Sequence, residues 1–208
     1  MRHAAGACLL VLSVPVIWFA SPPDWGHPAA KAQDVGQEPK GETKTPDVIF
    51  VPTPQEVVDK MLELAEVKEG DVVYDLGCGD GRIPVTAAKK YGVKAIGFDV
   101  DPQRIKESKT NVEKNGVGKL VTIKQEDIFK QDLSEANVVT LYLLPSLNVK
   151  LMPQLRKLKP GSRIVSHSFD MRGAKPKKVV QVESKEGGEH SVYLWVVPWE
   201  EEKEQESK

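Results

Sequence analysis

The stretch VVYDLGCGDGRIP, residues 72–84, decides how the rest of the chain is interpreted. Apolar residues typical of a buried strand run up to Leu76, and glycines then occupy positions 77, 79 and 81 before a helical pattern begins. Glycine gives up side-chain contacts, but it lets the backbone turn tightly and lets a ligand touch the main chain where a Cβ atom would collide. We therefore expect Gly77, Gly79 and Gly81 to form a ligand-binding loop between a strand and a helix.

Strand and helix patterns alternate regularly on both sides of this stretch. In one domain, such alternation requires crossover connections and a largely parallel sheet. The last two strand patterns are separated by KEGGE, which predicts an antiparallel hairpin at the end of the sheet. The predicted fold class is α/β, a doubly wound, mostly parallel seven-stranded sheet with an antiparallel last strand. The predicted strands are 71–76, 94–98, 120–124, 137–144, 163–167, 178–183 and 190–197, and the helices after the glycine loop are 81–91, 102–115 and 146–158.

Another helix is predicted before the first strand. Thr53 would supply a capping hydroxyl, Pro54 the first helical position and Glu56 the third, which is the capping-box arrangement. Apolar residues follow at helical spacing, and they predict a face that packs on the sheet. These residues are Val57, Val58, Met61, Leu62 and Leu64.

Composition restricts the partners and divides the chain into segments. Lysine and arginine number 29 against 30 aspartates and glutamates among 208 residues, so the chain lacks the broad basic field that binds a phosphate backbone. Nucleic acid is therefore not expected as a partner. Cys8 and Cys78 are the two cysteines, too few for a disulfide in a chain that loses its leader. The predicted segments are a leader or anchor at 1–32, a disordered linker at 33–47, one domain at 48–199 and an acidic disordered tail at 200–208.

The first 32 residues have the pattern of a targeting element. Arg2 supplies positive charge, residues 4–20 are almost wholly apolar, and AKA at 30–32 offers a small-x-small cleavage site. Cleavage there would export the protein. An uncleaved apolar run of about 17 residues would instead anchor it in a membrane and give its only membrane contact. If the start codon is misassigned, a cytoplasmic protein is expected.

The spacing of the glycines distinguishes between ligands. A dinucleotide fingerprint, G-x-G-x-x-G, would need its third glycine where this chain has Arg82. Asp75 lies two residues before the first glycine, and its carboxylate would repel a pyrophosphate but attract an ammonium or sulfonium group. The loop is therefore interpreted as the site of a cationic ligand.

The next two predicted strands each end at a further carboxylate. GFDVDP places Asp99 about 18 residues after Gly81, near the spacing at which an acidic residue binds ribose hydroxyls. QEDIF places Asp127 where it could accept a hydrogen bond from an exocyclic amine, and Ile128 or Phe129 where it could flank an aromatic base. Together with the loop, these residues describe a ligand with an amino acid end, a ribose and an adenine.

These motifs resemble those of the class I, seven-stranded S-adenosylmethionine-dependent methyltransferases over about residues 50–198. DLGCGDG is similar to the first motif of that family, GFDVDP to the second and EDIF to the third. The resemblance implies a Rossmann-like methyltransferase fold with S-adenosyl-L-methionine as cofactor. It also implies that Asp75, Gly77, Cys78, Gly79 and Gly81 line the methionine portion, that Asp99 binds the ribose, and that Asp127 and Ile128 bind the adenine.

The segment before the first strand, FVPTPQEVVDKML, is similar to a branch of this family that contains protein lysine methyltransferases. In that branch the segment closes over the cofactor, so Phe50 and Thr53 would contact the cofactor or the acceptor. The alternative is a packing aromatic residue and a helix cap. After the fourth strand, YLLPSLN at 142–148 lacks the Asn or Asp, Pro-Pro and aromatic pattern of nucleic-acid amino-methyltransferases, which argues against DNA N-methylation.

Methyl transfer is an in-line displacement, so the main task of such an enzyme is to hold the donor carbon and the acceptor lone pair in near-attack geometry. An amine acceptor must also lose a proton, which an acid, a tyrosine or water could take. Tyr142, at the end of the central strand, is the candidate catalytic residue. His167 ends the next strand and is the histidine expected near the site, where a structural role through hydrogen bonds is favoured.

We therefore predict a methyltransferase that acts on a protein side chain, lysine among them, or on a small molecule. A monomer without a metal ion is expected. Two alternatives stay open. An NAD(P)-dependent oxidoreductase is disfavoured by the glycine spacing and by Asp75. A non-catalytic module that retains the cofactor pocket is favoured by the leader, because an exported protein would meet little S-adenosylmethionine.

Overall fold

The computed structural model describes residues 50–202, in which helices cover both faces of a seven-stranded sheet. The predicted leader, the predicted linker and residues 203–208 of the predicted tail lie outside the described residues. The strands are β1 Val72–Leu76, β2 Lys94–Asp99, β3 Val121–Gln125, β4 Val138–Leu141, β5 Arg163–His167, β6 Lys178–Glu183 and β7 Glu189–Val196. The helices are α1 Gln55–Leu64, α2 Arg82–Tyr91, α3 Pro102–Lys114 and α4 Pro145–Leu155, with a 3-10 turn at Ile128–Lys130.

The strand order is β3-β2-β1-β4-β5-β7-β6. β1 to β5 are parallel, and β7 runs antiparallel to both of its neighbours, β5 and β6. The direction of winding changes between β1 and β4, where the carboxyl ends of the strands open a crevice suited to a ligand. The predicted fold class, including the antiparallel hairpin, is confirmed.

Alternate residues of the strands pack on opposite faces of the sheet, as the pleat requires. Val73 belongs to the core beneath α1, α2 and α3, whereas Tyr74 belongs to the core beneath α4. Leu151 of α4 is fully buried, and full burial of such a side chain is worth about 1.5–3 kcal/mol. Helices are therefore required on both faces, and the edge formed by the strand ends is left for a site.

The central strand is shorter than the sequence predicts. The expected strand at 137–144 ends at Leu141, and Leu144 becomes the N-cap of α4 with Pro145 as its first helical residue. Proline has no N–H to donate to a ladder, but its fixed φ suits the first turn of a helix. Residues 142–144 consequently form a loop beyond the strand end instead of continuing the sheet.

The predicted capping box at the start of α1 is wrong. Pro54, not Thr53, is the N-cap, and no side chain caps this helix. Thr53 thus lies one residue too early to reach the first turn, and its Oγ1 lies 3.2 Å from His167 Nδ1 instead. The predicted apolar face is otherwise correct, since Val57 and Met61 are fully buried.

Candidate active site

The glycine loop turns back onto the end of β2. Gly77, Gly79 and Gly81 have φ angles of 86°, 53° and 76°, in the left-handed region that favours glycine. The N–H groups of Gly77 and Cys78 both donate to the Phe98 carbonyl, at 2.9 and 2.8 Å. The loop therefore presents its backbone at the carboxyl end of β1, as the sequence predicts.

The three glycines have different roles. Gly77 lines the cavity beside the loop, whereas Gly79 and Gly81 do not. A Cβ atom on Gly79 would lie 2.1 Å from Cε2 of Phe50, and one on Gly81 would lie 2.8 Å from Cβ of Ser108. Gly79 and Gly81 are thus required by close protein packing, and their predicted contact with a cofactor stays a prediction.

The cavity has a volume of ≈ 260 Å³ and lies at the carboxyl ends of β1, β2 and β4. This volume is close to the lower end of the range for small-molecule sites. Its walls combine carboxylates at one end with apolar and aromatic side chains at the other. The predicted site residues that line it are Phe50, Thr53, Asp75, Gly77, Cys78, Asp99, Asp127, Ile128 and Tyr142.

Asp75 is the buried charge of this site. Its side chain is 2% exposed, and its Oδ1 accepts a hydrogen bond of 2.7 Å from Thr140 Oγ1. Its Oδ2 is buried and has no hydrogen-bond partner among residues 50–202. Burial raises the pKa of Asp75 to about 7, with smaller contributions from Asp99 and Asp80, although the Thr140 hydrogen bond opposes the shift. A cation that met Oδ2 would relieve this desolvation.

Asp99 is fixed by the backbone around it. Its Oδ2 accepts a 2.9 Å hydrogen bond from the N–H of Gly79, and its Oδ1 accepts a 3.0 Å hydrogen bond from the N–H of Asp101. Each carboxylate oxygen keeps lone pairs for a further donor. Two adjacent hydroxyls could therefore bind this rigid carboxylate, which agrees with the predicted ribose role.

The adenine end of the predicted site lies at the 3-10 turn after β3. Asp127 is the N-cap of this turn and accepts a 3.1 Å hydrogen bond from the N–H of Phe129. Ile128 is 8% exposed and lines the cavity. Phe129 does not line the cavity, and the centre of its ring lies 3.8 Å from Lys150 Nζ. The structure therefore favours Ile128 over Phe129 as the apolar wall of a base site.

The segment before α1 lines the cavity through Phe50, Val51 and Thr53, and two arginines contact it. The Arg104 guanidinium lies 4.8 Å from the centre of the Phe50 ring. Arg82 donates a 2.7 Å hydrogen bond to the Thr53 carbonyl and pairs with Asp80 at 2.6 Å. The segment before α1 is thus fixed to the loop, in agreement with a covering role for Phe50.

Tyr142 and Phe169 form the aromatic end of the cavity. Their ring centres lie 6.0 Å apart in a stacked arrangement, and both side chains line the cavity. His167 is fully buried behind Tyr142, with 3.9 Å between the ring centres. Burial lowers the pKa of His167 to about 4, and the neighbouring His190 contributes further, so His167 is neutral at physiological pH. Burial likewise raises the pKa of the Tyr142 phenol.

Phe169 is a site residue that the sequence analysis missed. Ser168 has a φ of 60°, unusual for a residue other than glycine, and the Phe169 N–H donates to the His167 carbonyl at 2.7 Å. This three-residue turn directs Phe169 into the cavity. The buried Asn148 of α4 supports it by donating to the Phe169 carbonyl at 3.3 Å. A serine in a left-handed conformation leaves no pattern in the sequence, whereas a glycine there would have marked the turn.

Comparisons with known proteins identify relatives of this chain. A family model described as the ANTKMT methyltransferase domain matches residues 75–178. A protein-lysine N-methyltransferase of Saccharolobus islandicus (strain REY15A) is 51% identical over 154 residues, which cover 73% of this chain and 95% of the relative. A Homo sapiens protein, named as a lysine N-methyltransferase for a subunit of ATP synthase, is 28% identical over 121 residues, 58% of this chain and 51% of that protein.

A solved structure extends the comparison to the cofactor. The RNA methyltransferase from Salinibacter ruber in complex with S-adenosyl-L-homocysteine has 49% sequence identity and a TM-score of 0.68, and it covers 76% of this chain and 100% of that chain. Its fold is the one observed here. The S-adenosylhomocysteine in it is the demethylated form of the predicted cofactor.

These comparisons correct the predicted location. The prediction of an exported or membrane-anchored protein is contradicted. The relative from Saccharolobus islandicus, 95% of which is matched by this chain, is named as a methyltransferase, and this match gives no support for a signal peptide. Residues 1–32, from which the location was predicted, lie outside the described residues. Among the helices of residues 50–202, none has both the length and the apolar character that a membrane span requires.

The side chains that line the cavity also fit this cofactor, independently of the comparisons. The unpartnered Oδ2 of Asp75, which lacks a hydrogen-bond donor within the described part of the chain, suits an ammonium group, and the fixed carboxylate of Asp99 suits a ribose. The predicted enzyme class and cofactor are confirmed, and the oxidoreductase alternative is excluded by the relatives found. The chain therefore belongs to the ANTKMT methyltransferase family of S-adenosylmethionine-dependent enzymes.

Proposed function

We propose that this enzyme methylates the side-chain amine of lysine in a protein. The observation that carries the proposal is the apolar and aromatic end of the cavity, formed by Tyr142, Leu144, Leu147 and Phe169. A lysine side chain has four methylene groups and a terminal cation, so apolar walls suit its stem and aromatic faces suit its head. The names of the relatives from Saccharolobus islandicus and Homo sapiens support the same acceptor.

The carboxylate end of the cavity would hold the cofactor. We assign its amino group to Asp75, its ribose to Asp99, and its adenine to Asp127 and Ile128. When bound, S-adenosylmethionine supplies an activated methyl group on a positively charged sulfur. The enzyme itself then has to orient the acceptor and exclude water.

Tyr142 and Phe169 would orient the acceptor amine. Tyr142 lies just beyond the carboxyl end of β4, at the aromatic end of the cavity. Leu144 is 45% exposed although it lines the cavity, so it would cover the stem of an inserted lysine and keep water out. A long, unbranched side chain would fit along these apolar walls, which favours a protein acceptor over a compact small molecule.

The relative from Salinibacter ruber is described as an RNA methyltransferase, so RNA is the acceptor to test against. The net charge of the chain disfavours RNA as the acceptor, because its 29 basic residues are balanced by 30 acidic residues. The two arginines of the cavity are also engaged. Arg82 pairs with Asp80, and Arg104 pairs with Glu107 at 2.7 Å.

The acceptor is tested by supplying S-adenosylmethionine with a deuterated methyl group. The purified enzyme is incubated with a mixture of lysine-containing proteins and, separately, with total RNA, and the hydrolysed products are analysed by mass spectrometry. We expect deuterated methyllysine from the proteins. The Asp99→Ala variant, run in parallel at a low S-adenosylmethionine concentration, should give much less methyllysine. Deuterated nucleosides without methyllysine would refute the proposal.

A further inference from the structure

A chain of hydrogen bonds leads from the aromatic end of the cavity towards the β6–β7 hairpin. Thr53 lines the cavity, and its Oγ1 lies 3.2 Å from Nδ1 of the fully buried His167. The other nitrogen of this ring, Nε2, lies 3.0 Å from Nδ1 of His190. His190 is half-buried, and its own Nε2 is buried without a hydrogen-bond partner in the part of the chain that the structure describes.

We propose that Thr53, His167 and His190 form a proton path that removes a proton from the acceptor amine before methyl transfer. The inference rests on the proposed amine acceptor, because a lysine arrives as an ammonium ion with a pKa of about 10.4 and has no lone pair until it loses a proton. Thr53 would contact the acceptor, whereas His167 and His190 would act through it.

The sheet fixes the two histidines in line. His167 is the last residue of β5 and lies opposite Val192 in the antiparallel ladder with β7. His190 lies two residues before Val192 on β7, so both imidazoles are on the same face of the sheet. Their ring centres are 5.0 Å apart. The path therefore depends on the antiparallel β7, which brings a residue of the hairpin against the end of β5.

The direction of transfer requires one tautomer of each ring. Thr53 must donate to His167 Nδ1, and His167 must carry its proton on Nε2 and donate to His190 Nδ1. The ammonium then gives one proton to the Thr53 hydroxyl as this hydroxyl passes its own proton to His167. His167 passes its Nε2 proton to His190, which becomes an imidazolium. One proton leaves the amine and one is gained by His190, so the amine keeps a free lone pair.

The surroundings of the two rings differ in polarity. Around His167, the titratable contacts are Tyr142 from the end of β4 and His190 from β7, and burial favours the neutral ring. The neutral ring can accept and donate at the same time, which a relay needs. Around the outer end, the hairpin carries acidic residues at 183 and 189, and α1 carries Glu56, which pairs with Lys185 at 3.5 Å.

The tautomers of the histidines can be determined without measuring catalysis. We expect nitrogen-15 NMR of the histidine-labelled, ligand-free protein at pH 7 to show His167 neutral and protonated on Nε2. Protonation on Nδ1 would make His167 the donor to Thr53 and would overturn the proposed direction. His190→Gln is the reference for assignment, because it leaves the bond between Thr53 and His167 in place.

The kinetic test uses Thr53→Val, Thr53→Ser and His190→Gln with a lysine-containing protein acceptor. Valine lacks the hydroxyl and glutamine cannot relay a proton, so both changes should lower kcat at pH 7 by about 10- to 100-fold with little change in KM. The deficit should shrink as the pH approaches the pKa of lysine, where the free amine is abundant. Thr53→Ser retains the hydroxyl and should restore the wild-type pH profile.

Ser191→Ala is the matched control for the hairpin, since Ser191 bonds Gln181 on the exposed strand β6 and not the histidines. A loss of activity that is equal at every pH, or an unchanged pH profile in His190→Gln, would overturn the path and leave the histidines with a structural role. If Thr53→Val fails to fold, His190→Gln decides alone. If the wild-type enzyme gives no methyllysine, the proposed function fails. The NMR measurement of the tautomers still tests the direction of the hydrogen bonds in that case.

Discussion

At the scale of single residues, two carboxylates that line the cavity differ in their hydrogen bonding. Asp75 is buried with one oxygen unpartnered among the described residues, whereas both oxygens of Asp99 accept backbone hydrogen bonds. An unpaired buried carboxylate destabilises the fold unless a cation meets it. Asp75 is thus better explained by binding than by stability.

The substitution Asp75→Asn should stabilise the ligand-free protein at high pH. Because the pKa of Asp75 rises from 3.8 to about 7 on folding, native stability falls as the pH rises between these values, by up to about 4 kcal/mol in total. Asparagine avoids this loss, but its unpaired amide costs about 1–3 kcal/mol. We expect a net gain of about 1–3 kcal/mol at pH 8 that shrinks or reverses at pH 5, measured by urea unfolding.

The same variant should bind S-adenosylhomocysteine more weakly than the wild type, since it lacks the charge that meets the ammonium group. Glu113→Gln removes an exposed acid of α3 and serves as the control for net charge. A destabilisation of Asp75→Asn that is the same at pH 5 and pH 8 would contradict the burial of a titrating carboxylate.

The substitution Asp99→Ala tests the ribose site. It removes an acceptor for two hydroxyl donors, and hydrogen bonds to charged groups are worth about 1.5–3 kcal/mol each. Loss of even one such bond predicts a 10- to 150-fold weaker affinity for S-adenosylhomocysteine at about 25 °C, measured by calorimetry. Unchanged affinity would show that the ribose binds elsewhere.

At the scale of elements, the segment before α1, the glycine loop and the end of β4 form one unit. Phe50 packs where a side chain on Gly79 would stand, and Arg82 fixes the Thr53 carbonyl. Gly79 is therefore required by the packing of the segment before α1. Substitutions in the loop should therefore disturb the packing of that segment.

A double-mutant cycle tests this coupling. Gly79→Ala places a Cβ atom 2.1 Å from the Phe50 ring in addition to its left-handed backbone, so we expect a loss of about 2–4 kcal/mol in unfolding free energy. In a Phe50→Ala background the same change should cost only about 1–2 kcal/mol, the backbone strain itself. Gly116→Ala, with a φ of 67° and open space around its Cβ, should cost the same in both backgrounds. Equal costs of Gly79→Ala in both backgrounds would exclude the contact.

Much of this unit could be predicted from local patterns, and the rest depended on contacts between distant residues. The loop, Asp75 and Asp99 were predictable because glycine spacing and strand ends are local signals. The hydroxyl of Thr53 was wrongly assigned to a helix cap, since its partner His167 is 114 residues away in the chain. The turn at Ser168 that brings Phe169 into the cavity was missed for lack of a glycine.

At the scale of the whole molecule, the order of the strands places both ends of the site. The change in winding between β1 and β4 opens the cofactor end, and the antiparallel β7 brings the hairpin behind the aromatic end. Alternating patterns predicted this sheet, whereas the insertion of β7 between β5 and β6 is a long-range pairing that local patterns do not predict. The predicted segment bounds at 1–32, 33–47 and 200–208 stay predictions, and so does a monomeric state, whereas the export or anchoring predicted from residues 1–32 is contradicted.

A structure of the complex with S-adenosylhomocysteine, determined by crystallography, tests the central claim most directly. We predict the amino group of the ligand within hydrogen-bonding distance of Asp75 Oδ2, the ribose hydroxyls on Asp99, and the sulfur facing Tyr142. A ligand bound outside the cavity, or an Asp75 Oδ2 that still lacks a partner in the complex, would contradict the account.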